Sequence, residues 1–488
     1  MAISIFEVFD ILFLIVLLGS LIWFLKKNKK NLVKEGGLYL YKTSWGIKLI
    51  EKIGGKYKRT LSFLSYVSIA TGYVLMVGIL YLLGNTTFQY LTNPLIVETI
   101  RAPPIAPVIP YFPQLFGLSE FFPPLYAVYF IISILIVATI HEFSHGVFAK
   151  RWGIKIKTTG FAFLSFFPVF FGAFVEQDDN QMTKTSKFKQ MSILSAGVFA
   201  NIITGLIFFI LLILFFQFAF SPSGVVFDSY AYEEGISLSN ISLVNGLAFS
   251  SSNYSELVAL SNEEGFNKIE ANNINYLITQ ESLQRQHRFV GQQSVSLYYD
   301  SPAINSNLER AIFEINGISV SNLQDLQNEL SKHSPGETIT LNVLGEDGQN
   351  FDREITLGGS PLDSEDAWLG VAFSNRENGF IKSQLVHFLN SFRPDNLGFI
   401  DNTYHEPLLG NFSVFIYYLL WWIVLINFLV ALFNMLPVSI LDGGRFFYLT
   451  LLGITKSEKI SKFIYGIMGY FILMIFILLM LRWVVSFI

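Results

Sequence analysis

Of the 488 residues, 52% are hydrophobic and only 14% charged, against about 25% charged residues in soluble domains. This excludes an ordinary water-facing globule, and the formal net charge of −4 is unevenly spread along the chain. There is no Cys, which excludes disulfides, thiolate metal sites and a Cys nucleophile.

Taken in chain order, apolar runs near 5–25, 61–84, 124–149, 190–219, 412–436 and 461–486 are each long enough to cross a bilayer, where roughly 20 residues suffice. The first run is followed, not preceded, by the basic cluster Lys26, Lys27, Lys29 and Lys30, so it reads as a retained helix rather than a signal peptide. Segment 26–60 carries eleven Lys/Arg against two acids, and 150–189 carries seven more. The stretch around Arg445, Lys456, Lys459 and Lys462 is also basic, whereas 85–123 has only Arg101. By the positive-inside rule these three basic stretches are cytosolic and both termini lie outside.

Loop 85–123 holds Pro103, Pro104, Pro107, Pro110, Pro113 and Pro123, with Pro124 directly after it, and cannot form a regular helix. Segment 160–175 is apolar but too short to span and is bounded by glycines, so a re-entrant or membrane-inserted hairpin is expected. The long insertion 221–410 holds 9 Lys/Arg against 25 Asp/Glu, a net of −16, and by the helix count it is extracytosolic. Its second half alternates from Ala311 into a turn at Asn316-Gly317, has helical spacing from Leu323 to Leu330, and alternates again from Glu337 to Leu344. Pro335-Gly336 and Glu346-Asp347-Gly348 supply turns. This order resembles the C-terminal half of a PDZ domain, whose first half would begin near Gly224. On that reading the Asn- and Ser-rich stretch 246–292 is an insertion of unassigned fold. No peptide-binding loop is recognisable, so a size filter for substrates is the preferred role, beside an inert fold element.

The chemistry concentrates in the third span, at His141-Glu142-Phe143-Ser144-His145. Helical positions four apart share a face, so both imidazoles can reach one metal ion, with the Glu142 carboxylate beside it as general base. Such a triplet can arise by chance on a helix. Three ionisable residues in one turn of a membrane span, however, are costly without a metal or buried partners. Zinc suits the pattern because it keeps an open position and lowers the pKa of its water to roughly 7.

Tetrahedral zinc needs a further protein ligand. Asp442 is the best candidate, because the ends of spans three and five meet at the same membrane face; the alternative is that Asp442 only caps the next helix. Pro437 ends the span, and Gly443-Gly444 allow a sharp path that aims the carboxylate inward. Glu176 is a weaker competitor and reads better as facing water. Asn201, after the small residues of Ser195-Ala196-Gly197, reads as an interhelical hydrogen-bonding group rather than a catalytic one, and Asn427 similarly. His287, His333, His387 and His405 read as structural or solvated.

In this order, "HEFSHG", "GAFVE", "SAGVFAN" and "FNMLPVSILDGG" resemble the site-2 protease family of intramembrane metalloproteases, most closely archaeal and bacterial members with a PDZ-like insertion. The likeness covers roughly 124–220 and 412–450. It implies His141, His145 and Asp442 as zinc ligands, Glu142 as general base and Asn434 as an active-site polar residue. It further implies cleavage of membrane-tethered substrates in regulated intramembrane proteolysis. The sequence departs from the family at Ser439-Ile440, where many relatives have a Pro-rich stretch.

The expectation is therefore an α-helical polytopic membrane protein of about six spans with an inserted extracytosolic α/β PDZ-like domain. Its parts are 1–60, the first span and basic loop; 61–220, the core with the His-Glu helix; 221–410, the insertion; and 411–488, the core with Asn434 and Asp442. The expected partners are membrane-spanning protein substrates and the lipid bilayer of a prokaryotic cell, with the active site near the cytosolic side and no nucleic acid. A protease-like membrane chaperone that no longer cuts is the alternative. A metal transporter would need polar residues along a path, whereas here they cluster at one depth.

Overall fold

The computed structural model of the chain describes residues 5–93, 103–105, 107–119, 122–164, 170–250, 253–289, 293–345, 349–361, 365–373 and 402–485. The chain divides into two compact units, Met1–Phe218 with Phe412–Ile488, and Ala219–Asn411.

Among the described residues, six helices of the first unit are long and apolar enough to cross a membrane: Ile5–Lys27, Lys58–Thr92, Ala127–Arg151, Lys187–Ala219, Asn411–Asn434 and Glu458–Val485. They bear large exposed apolar side chains such as Phe9, Val74, Ile210, Phe463 and Tyr470. In water that surface would drive aggregation; in hydrocarbon it is the matching face. The chain is an integral membrane protein. Spans two to five converge on one core, where Leu75, Val147, Phe148, Ile193, Ala431 and Phe446 are buried together. Small residues let spans two and four approach: Ser68 and Ser195 share a 2.5 Å hydrogen bond. A Cβ at Gly72 would stand 3.2 Å from Ser195 and from Phe446.

Span three, which carries the His-Glu motif, is anchored at its start by another helix. Asp10 of the first span is buried and accepts hydrogen bonds from Ala127 N (2.8 Å), Val128 N (2.9 Å) and the Tyr111 hydroxyl (2.6 Å). These two amides are among those a helix N-terminus leaves without internal partners, and a carboxylate there also suits the helix dipole. The sequence signal was an acid inside an apolar span.

The two arms of segment 160–175 pair as antiparallel strands within a wider sheet than expected; residues 165–169 between them lie outside the described residues. Strands β3 (Ile156–Leu164) and β4 (Phe170–Gln177) are extended by β1 (Leu32–Glu35) and β2 (Leu38–Thr43) from the first basic loop, in the order β1-β2-β3-β4. The join is antiparallel, with Leu40 opposite Ala162 and Tyr41 opposite Phe161. Gly160 is needed there, because a Cβ would stand 1.9 Å from the Tyr41 carbonyl oxygen. A short helix, Ile47–Lys56, follows β2 and packs on span three.

The second unit contains two six-stranded sheets, each with its own apolar core. One sheet holds the strand Ala311–Ile315, the strand Thr338–Leu344 after helix Leu323–Leu330, and Phe220–Val226 paired to Ala311–Ile315. The turn Glu346-Asp347-Gly348 lies outside the described residues. Within the stretch 246–292, whose fold the sequence left unassigned, Phe266–Ala271 and Ile274–Thr279 are central strands of the second sheet. Its Asn-rich look has two physical causes. Asn272 and Asn273 both adopt positive φ (52° and 62°), the requirement of a tight hairpin turn. Asn267 points inward in place of an apolar residue and binds Asn245, Asn262 and the Ile278 carbonyl.

Candidate metal centre

His141 and His145 stand one turn apart on span three, both buried, with Nε2 atoms 3.0 Å apart. Asp442 Oδ2 lies 3.1 Å from His141 Nε2 and 3.2 Å from His145 Nε2. Among the described residues this is the group of three that could hold a metal ion. Donors at about 2.05 Å from a tetrahedral zinc are separated by about 3.3 Å, so the observed triangle fits that ion closely.

Hydrogen bonding behind the rings supports the fit. His145 Nδ1 lies 2.6 Å from the Ile193 carbonyl, which only accepts, so Nδ1 carries a proton and Nε2, directed at the centre, is the nitrogen left to bind a metal. His141 Nδ1 lies 3.0 Å from the Asn201 side-chain amide. If His141 presents a lone pair at Nε2, its Nδ1 must donate, so Asn201 must offer its oxygen there. The recorded orientation places Nδ2 at that contact and leaves the buried Oδ1 without a partner. Turning the amide over gives that oxygen the His141 Nδ1–H as its donor. Asn201 is thus a positioning residue for His141, a more specific task than the interhelical bond expected from the sequence. Removing such a partner typically lowers metal affinity 10–100-fold, so Asn201→Leu should show that loss in zinc titration, with Asn201→Asp milder.

Gly197, one turn before Asn201, is the other part sequence reasoning undervalued. A Cβ at this position would stand 2.5 Å from His141 Cε1 and 2.6 Å from Nε2 of both His141 and His145. Its missing side chain makes room for the two rings.

Asp442 is the first residue of helix Asp442–Thr455; the capping position belongs to Leu441, without a side-chain cap. The carboxylate thus meets the histidines at a helix N-terminus. Gly443 and Gly444 serve close approach rather than a sharp path, since neither has positive φ. Added Cβ atoms would stand 2.4 Å from the Met435 carbonyl carbon and 2.2 Å from the Val438 oxygen. Any larger residue would push Asp442 away from the span-five loop.

Glu142 stands outside the donor triangle. Its Oε2 accepts a hydrogen bond from Val175 N of β4 (3.2 Å), and it lines a cleft with Thr43, Trp45, Thr139, Thr159 and Phe161. Asn434 is the last residue of span five, half-buried, and its side chain makes no hydrogen bond among the described residues. The donor group itself consists of His141, His145 and Asp442. Glu176 is also outside that group: it binds the Thr158 hydroxyl at 2.7 Å and Lys42 at 3.2 Å. The Thr158 bond, and after it Lys42, holds this carboxyl below the usual range against the opposing effect of burial. Asn427 bonds the Ile423 carbonyl within its own helix. In the second unit His333 pairs with Glu337, and His405 contacts the Thr403 carbonyl. The side chains of His287 and His387 lie outside the described residues.

The family model for peptidase family M50 matches residues 129–478, well over half of the chain and all of the centre just described. The chain belongs to peptidase family M50, the site-2 protease family. An uncharacterized protein of Methanocaldococcus jannaschii is 30% identical over 200 residues, covering 39% of this chain and 48% of the relative. The match therefore spans about half of that relative's length. With six apolar helices among the described residues, this M50 chain is an integral membrane member of that family.

Proposed function

We propose that this M50 chain is a zinc-dependent intramembrane endopeptidase. It hydrolyses peptide bonds within or near transmembrane helices of membrane-tethered proteins, in regulated intramembrane proteolysis. The observation that carries the reading is the compact His141, His145 and Asp442 donor group with a separate carboxylate, Glu142, beside it.

A zinc ion held by those three donors would supply a Lewis acid and acidify a water at its open position. Glu142 takes a proton from the attacking water and returns it to the leaving nitrogen as the C–N bond breaks. The products are a carboxyl and an amine terminus. A helical substrate hides its carbonyls in internal hydrogen bonds, so it must first be drawn out. Strand β4 supports a way to do this. It pairs with β3 on one side, and on the other its Val175 N–H faces Glu142. An extended segment added along that edge would pass beside the base. Asn434, at the adjacent end of span five, is assigned to contact with substrate or with the developing oxyanion.

The Lys/Arg distribution supports a cytosolic-side centre and an extracytosolic second unit, read as a PDZ-like size filter. A reporter fused in that unit should register as outside; a cytosolic signal would reverse the orientation.

The test of function is zinc content measured together with cleavage of a model transmembrane substrate. About one zinc per chain is expected, with activity lost on chelation and restored by zinc. Zinc-loaded protein that binds such substrates and cuts none would favour the non-catalytic chaperone instead.

A further inference from the structure

Helix Ile47–Lys56 presents two unlike faces. Ile50 and Gly54 are buried against span three: a Cβ at Gly54 would stand 2.8 Å from the Val147 oxygen and from Lys150 Cβ. A Cβ at Gly146, the residue after His145, would stand 2.9 Å from Ile50 Cδ1. This face therefore rests on the turn that carries a proposed metal ligand. The opposite face exposes Lys48, Lys52 and Lys56 at helical spacing of four, together with Leu49. Trp45 just before the helix is 73% exposed, and Tyr57 at its end is also open.

The charges on this face are unbalanced. The helix has one acid, Glu51, and it pairs with Lys150 of span three at 2.7 Å. Among the described residues Lys48, Lys52, Lys56, Lys58 and Arg59 have no carboxylate partner. The helix runs directly into span two, which begins at Lys58, and Arg151 at the end of span three donates to the Lys58 carbonyl. The exposed face therefore lies where two spans leave the bilayer. Lysines interleaved with Trp, Leu and Tyr are suited to a headgroup layer, the apolar groups dipping inward and the ammonium groups meeting anions.

We propose that Lys48, Lys52 and Lys56 form a binding face for the anionic lipid headgroups of the adjoining leaflet, and that lipid bound there raises turnover by seating the helix against the His145 turn. The coupling rests on the peptidase reading; the lipid site does not. The carried chemistry is a phosphate-bearing surface, with the lipid rather than free phosphate as the source, because Trp45 and Leu49 add an apolar part that free phosphate cannot use.

The test compares the full chain with Lys48→Gln/Lys52→Gln/Lys56→Gln. Phosphatidylglycerol retained in detergent is counted by native mass spectrometry, with and without excess inorganic phosphate. Cleavage of a model transmembrane substrate is measured in vesicles of phosphatidylcholine alone or mixed with phosphatidylglycerol. The wild type should retain more phosphatidylglycerol than the variant, undiminished by phosphate, and should cut several-fold faster in the mixed vesicles. The variant should match the wild type in phosphatidylcholine and lose the increase. Equal retention, or displacement by phosphate, overturns the lipid site. Unequal retention with no rate increase, in protein that cuts, overturns the coupling. A variant equally slowed in both vesicles assigns the face to substrate instead. Protein that retains lipid but never cuts refutes the peptidase reading and, with it, the coupling, while the lipid site stands.

Discussion

Glu142→Gln is expected to keep zinc at the wild-type level and to lower cleavage by about 10²–10⁴-fold, the range general acid–base catalysis contributes. Retention follows from geometry, because the donor group is His141, His145 and Asp442, and Glu142 is not part of it. A glutamine of the same length can still accept the Val175 N–H through its amide oxygen, so β4 keeps its seat. What the amide cannot do is take a proton from water and pass it to the leaving nitrogen. Zinc per chain and single-turnover cleavage on the same preparation separate the two effects. Loss of zinc would make Glu142 a ligand, and substantial cleavage by the zinc-loaded variant would remove it as the base.

The parts of this centre legible in the sequence were those governed by local periodicity or by a count of spans. His141 and His145 lie on one face because four residues make about one helical turn. Asp442 follows from the alternation of spans, which brings the ends of helices three and five together. What stayed hidden depends on partners distant in the chain. Asn201 was visible as a polar residue in an apolar helix, but no pattern revealed that it faces His141, 60 positions earlier. The anchor at Asp10 binds backbone amides of Ala127 and Val128, which leave no mark on their side chains. The pairing of β2 with β3 joins segments more than 110 residues apart. In the second unit, by contrast, the turn at Asn316-Gly317, with φ of 51° and 78°, was readable from its residue types. Asn272-Asn273 is the same chemistry without the glycine, and it lay in the stretch whose fold the sequence left unassigned.

Gly197→Ala is expected to empty the centre without unfolding the helix that carries it. The added methyl would stand 2.5–2.6 Å from His141 Cε1 and from the Nε2 atoms of His141 and His145, so it strikes the donors themselves. The rings have nowhere to retreat, because Asn201 holds His141 and the Ile193 carbonyl holds His145 from behind. Either the fourth span moves outward or the imidazoles rotate off the shared point. Both changes break the triangle with Asp442, so zinc affinity should fall at least as far as for loss of a supporting hydrogen bond, on the order of 100-fold or more. Cleavage should fall with it. Gly205→Ala, two turns along the same helix, is the matched control. There the methyl would stand 3.3 Å from Phe428 and 3.4 Å from Asn427 Cβ, contacts that small shifts relieve. Zinc titration of both variants, each checked for a monodisperse fold, makes the comparison. Wild-type zinc affinity in Gly197→Ala would mean that the two rings do not meet the ion at the point where their Nε2 atoms converge.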